Sequence, residues 1–68
     1  MGSLSDTLTE RERDILQRVA QGLSNKQIAR TLEISPETVK SHIKRVFLKL
    51  AASTRTEAVS RGKSLGLL

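Results

Sequence analysis

The sequence predicts an all-α, compact four-helix domain, and three observations point there. Side chains that open helices recur along the chain, apolar residues repeat at helical spacing, and one very short turn separates the two middle segments. Thr9-Glu10-Arg11-Glu12 sets a hydroxyl acceptor and, three residues on, a carboxylate, the pattern of a capping box. Ile15, Leu16, Val19 and Ala20 follow on one face, and Gly22 offers a left-handed stop, so a first helix is expected over 10–21. Residues 1–8 carry little pattern and are read as a flexible N-terminal arm that ends by docking Leu8. Its Met1-Gly2-Ser3 start reads as an expression remnant, and the domain proper is expected over 9–68.

Ser24-Asn25-Lys26-Gln27 repeats the box, and Ile28, Ala29 and Leu32 make a short buried stripe that fades over 31–33. Ile34 is an apolar plug in the turn. Ser35-Pro36 then supplies an N-cap and a proline at the first helical position, where its missing N–H costs nothing. The third helix is expected over 36–50. A turn this short between the second and third helices is the mark of a helix-turn-helix. Thr54-Arg55-Thr56-Glu57 reads as a third capping box and opens a fourth helix running to about residue 64, after which Gly66 stops it and Leu67 and Leu68 fold back on the core.

Composition narrows the function. Twelve Lys and Arg oppose seven Asp and Glu, for a net charge of +5 and a pI near 10.5, an excess that favours a polyanion such as nucleic acid or an acidic membrane surface. There is no cysteine and His42 is the one histidine, so a Cys-based metal site, a disulfide framework and a His cluster are excluded. No nucleophile–base pair, phosphate loop or metal cluster can be assembled, so no enzyme activity and no cofactor are expected. No stretch reaches the ~20 apolar residues that cross a bilayer, and the start lacks the apolar core of a signal peptide. A cytoplasmic, reducing compartment and no membrane partner fit these features.

The third helix carries the functional signal. Val39, Ile43, Val46 and Leu50 fall in one stripe and are expected to be buried, while Glu37, Lys40, Ser41, Lys44 and, further along, Leu48 lie opposite. An apolar back and a cationic front suit entry into the ~12 Å major groove, where lysine donates to guanine O6 and N7. Lys40 and Lys44 are the base-edge candidates, with Ser41 small enough to let the helix sit deep. Glu37 has two readings, an acceptor for cytosine N4 or a complement to the helix dipole paired with Lys40, and the second is favoured. Arg45 and Lys49, toward the rim, are assigned to phosphate. Ser24, Asn25 and Lys26 at one helix start and Thr38 at the next are further phosphate candidates. His42 flanks the stripe as a packed or phosphate-bonding side chain, and Leu48 is expected to lie beyond the groove against the fourth helix or a partner domain.

The segments Leu8-Thr9-Glu10-Arg11-Glu12, Gly22 to Ala29, Ser35 to Ile43, Thr54 to Val59 and Gly66-Leu67-Leu68 resemble the LuxR/NarL/FixJ family of bacterial transcription regulators, and the likeness covers residues 8–68. The resemblance implies a tetrahelical helix-turn-helix domain, including a response regulator's output domain, whose third helix reads double-stranded DNA and whose fourth mediates homodimerisation. Its base-contacting positions fall on Lys40, Ser41 and Lys44, and Val59, Gly62 and Lys63 become dimer-interface candidates. RNA polymerase is a further partner of such regulators. Where the family commonly has Leu-Gly-Val, this chain reads Leu50-Ala51-Ala52, and the turn into the fourth helix is expected to be reshaped or weakened. Two rival readings share the motif: the promoter-reading domain of a sigma factor, against which the fourth helix speaks, and a protein-interaction adaptor, against which Lys40, Lys44 and Arg45 speak.

Overall fold

A computed structural model of the protein describes residues 8–68, so the expectations for residues 1–7 lie outside it. Four helices follow one another: α1 (Glu10–Ala20), α2 (Asn25–Leu32), α3 (Pro36–Leu50) and α4 (Arg55–Ser64). Among the described residues no strand occurs. The boundaries follow the capping chemistry. Thr9 and Ser24 each accept from the backbone N–H three residues on, and the Glu12 and Gln27 side chains return to the N–H groups of Thr9 and Ser24, completing both boxes. Ser35 caps α3 and Pro36 stands at its start. The start of α4 departs from expectation. Thr54 accepts from the Glu57 N–H at 3.0 Å, but the Glu57 carboxylate takes the N–H of Ser53 at 2.6 Å, one residue earlier than a capping box requires.

All four helices end alike. A left-handed residue breaks the helix, and the next N–H returns to a carbonyl one turn inside: Leu23 to Arg18, Ile34 to Ala29, Ala52 to Phe47 and Leu67 to Gly62. Each of these four residues is apolar and turns its side chain to the core. Gly22 and Gly66 fill the left-handed position after α1 and α4, whereas Glu33 and Ala51 adopt it with φ near 57° and 55°. The turn after α3 is therefore not reshaped. Ala51 is forced into the glycine conformation, and the strain stays in the folded state.

Helix α3 is the centre of the packing, lying against α1, α2 and α4. Its Val39 and Ile43 join Ile15, Val19, Ile28 and Ala29 in one buried cluster. Val46 and Leu50 join Leu8, Leu16, Ala58 and Leu67 in the other. Phe47 is half-buried against both. The stripe foreseen on α3 is thus the buried one, and Leu8 docks as expected. Leu48 does not pack on α4: it is 75 % exposed.

Replacing Ala51 with glycine should raise stability by about 1 kcal/mol, the cost of a Cβ in the left-handed region set against the greater freedom of unfolded glycine. Urea unfolding checks this: the midpoint is expected to rise with an unchanged slope.

Candidate nucleic-acid interface

Burying one side of α3 fixes what the other side shows. Lys40, Ser41, Lys44 and Arg45 are all exposed, and no ion pair among the described residues engages the three cations. Glu37, Lys40, Ser41 and Lys44 line a shallow concavity whose floor is Ile43 and Phe47. Glu37 forms no ion pair with Lys40 among the described residues. It stands in the first turn of α3, where a carboxylate complements the helix dipole.

The phosphate candidates divide. Lys26 and Arg45 are exposed. The Ser24 hydroxyl accepts from the Gln27 N–H at 3.2 Å. Asn25 is held by Arg55, whose guanidinium donates to Asn25 Oδ1 and to the Leu23 carbonyl, both at 2.9 Å. The Thr38 hydroxyl shares a 2.9 Å hydrogen bond with that of Ser35. Lys49 has a different employment from the one its sequence position suggested. Its Nζ lies 2.7 Å from Glu12 Oε1, directed at α1 rather than outward.

Glu12 itself is only 2 % exposed. Burial alone would raise its pKa, but the Lys49 hydrogen bond, the Thr9 N–H and the Lys49 charge outweigh it, and the carboxyl is held below the usual glutamate range. Sequence reasoning gave Glu12 only its capping role. The overlooked signal was its position, four residues before Leu16 and four after Leu8, on the apolar face. The Arg55 clamp between α4 and the start of α2 was also missed, because nothing local in the sequence relates two segments 30 residues apart. On His42, Nδ1 is buried and has no hydrogen-bond partner among the described residues, which places the ring as packed on that side.

The interface candidates on α4 mostly face inward. Gly62 is buried, and a Cβ built there would meet Leu16 at 3.0 Å and Leu68 at 3.1 Å. Val59 packs against the cluster around Ile15 and Ile28. Only Lys63 of the three is exposed. Among the described residues no group of His, Cys, Asp or Glu could hold a metal, and no helix is long and apolar enough to cross a membrane.

This geometry, a third helix with one side buried that follows a short turn and is braced by a fourth helix, defines a helix-turn-helix domain. Residues 6–61 match the family described as bacterial regulatory proteins, luxR family. The chain belongs to that family and is a DNA-binding helix-turn-helix domain of the kind found in transcription regulators. It is 55 % identical over 51 residues to the nitrate/nitrite response regulator protein NarL of Escherichia coli K12, covering 75 % of this chain and 24 % of the regulator. With the CsgBAC operon transcriptional regulatory protein of the same organism it shares 50 % identity over 56 residues, 82 % of this chain and 26 % of that protein. The chain thus spans about a quarter of the length of these curated relatives. Its fold superposes on the transcription factor GerE with a TM-score of 0.86 at 40 % identity, over 98 % of this chain and 96 % of GerE. On the response regulator ChrA of a heme-sensing two-component system the TM-score is 0.87 at 43 % identity, over 90 % of this chain and 30 % of ChrA.

The Glu12–Lys49 pair has a defined pH signature. Because the folded pKa is depressed, its stabilisation is complete above the unfolded glutamate pKa and is lost as pH falls through the folded value. Lys49→Met should cost about 3 kcal/mol at neutral pH, the lower end for stranding a buried charge because Lys49 is partly solvated. Denaturation from pH 7 to pH 3 should show a flatter acid limb for Glu12→Gln than for the natural chain.

Proposed function

We propose that this chain is the output domain of a bacterial transcriptional regulator that binds double-stranded DNA sequence-specifically, with α3 laid in the major groove. The observation that carries the reading is the exposed side of α3: Lys40, Ser41 and Lys44 stand together, the two lysines without ion-pair partners among the described residues, while the opposite side is sealed by both core clusters. Lys40 and Lys44 donate to base edges, and Ser41 allows close approach. Arg45 and Lys26 hold phosphates, with backbone N–H groups at the start of α2 and hydroxyls of Ser24 and Thr38 beside them. Asn25 acts through its backbone, since its side-chain oxygen is taken by Arg55. Lys49 contributes by positioning α3.

The relatives named as response regulators support a place in a longer, cytoplasmic protein whose signal-receiving part controls this domain. Regulators of this family work as homodimers on repeated half-sites, and α4 is the proposed contact helix. Of its three candidates Lys63 is the one placed to touch a second copy directly, with Val59 and Gly62 shaping the helix from beneath. RNA polymerase is the protein partner proposed for the assembled regulator.

Selection from a randomised duplex library, repeated at two salt concentrations, tests the reading. The natural domain is expected to enrich a defined half-site. Lys44→Ala should relax preference at one position and cost roughly 1–3 kcal/mol, whereas Arg45→Ala should leave preference intact and lower the salt slope by about one. Equal enrichment of all sequences by the natural domain would refute sequence-specific binding.

A further inference from the structure

Leu48 is the most exposed large apolar side chain of the described residues, at 75 %. It stands on α3 seven residues after Ser41 and four after Lys44, close to two turns and one turn respectively, so all three share one line along the helix. Its Cα lies ~6 Å along the axis from that of Lys44 and ~12 Å from that of Lys40. Recognition helices read bases over about two turns, and the span from Lys40 to Leu48 is of that size. The exposed cations Lys44 and Arg45 precede it within one turn. A leucine there adjoins a surface suited to a polyanion more than one suited to an apolar protein partner.

We propose that Leu48 is a specificity-determining residue that reads the C5-methyl group of a thymine in the major groove. The proposal rests on the major-groove placement of α3 argued above. Chemically the match is direct: the thymine methyl is the apolar feature a base pair presents in that groove, and it is read by apolar contact. A lysine or arginine at this place would add affinity for any sequence. An apolar side chain adds it only where a methyl group meets it, and disfavours the polar edges of the other bases. Leu48 therefore extends the reading by Lys40 and Lys44 toward an A·T pair about one turn of helix further on.

The test removes the methyl group without disturbing base pairing. A duplex enriched by the natural domain is synthesised with deoxyuridine replacing each thymine in turn, and affinities are measured for the natural domain and for Leu48→Ala. At one thymine the natural domain is expected to weaken about fourfold, the worth of one buried methyl group, while Leu48→Ala binds the thymine and uracil duplexes equally. Circular dichroism of Leu48→Ala should match the natural domain, since the side chain is largely exposed and belongs to neither core cluster. Equal losses in both proteins at every sensitive thymine would assign the methyl contact to another residue and overturn the proposal while leaving groove binding intact. The absence of any thymine-sensitive position would also overturn it. A change of oligomeric state in Leu48→Ala without DNA would mark a protein contact instead and would equally overturn it. If no duplex is enriched at all, the major-groove reading falls first and this one with it.

Discussion

A carboxylate with almost no access to water holds the two halves of the domain in register. A charge in that position is tolerable only when its partners come with it, and Glu12 has the Thr9 N–H at 2.9 Å and the Lys49 ammonium at 2.7 Å. The same oxygen thus closes the cap at the start of α1 and bolts it to the far end of α3. Because α3 also presents Val39, Ile43, Val46 and Leu50 to the core, its rotation about its own axis is determined along its whole length. The outward line of Lys40, Ser41, Lys44 and Leu48 follows from that determination. In the proposed complex, recognition depends on a helix that cannot roll.

The same economy governs the chain reversals. Each helix is stopped by a left-handed residue and followed at once by an apolar one that enters the core, so every turn is both a terminator and a packing contact. Two of the turns use residues other than glycine, and the backbone keeps its course there despite the strain. Tertiary packing of Ile34 and Ala52 offsets the local preference against that conformation. In a chain of 68 residues, whose margin of stability is small, such strain is a measurable fraction of the whole. Arg55 completes the frame from the other side, tying the start of α4 to the loop and first turn of α2, the segment whose N–H groups face phosphate in the proposed complex.

Most of this frame was legible in the sequence because its signals are local. Thr9, Ser24 and Ser35 mark helix starts by chemistry that acts over three residues, and the stripe on α3 follows from helical geometry alone. What escaped was long-range. Lys49 reads as an exposed cation until the burial of Glu12 is known, and Arg55 reads as an ordinary first-turn residue until the fold brings Leu23 and Asn25 to it. Gly62 was an interface candidate through the family resemblance alone, and nothing local in the sequence showed that Leu16 and Leu68 of the same chain lie against it. Leu48 was the opposite case. Its place on the polar side was evident, and only the structure removed the fourth helix as its cover.

The central claim is that one side of α3 meets DNA while the other holds the domain together. Amide chemical-shift mapping during titration with a library-selected duplex tests it most directly. The account predicts the largest changes along Lys40–Lys44 and at Ser24–Lys26, with the amides of α1 little moved. Changes concentrated on the outer surface of α1, with α3 silent, would contradict it.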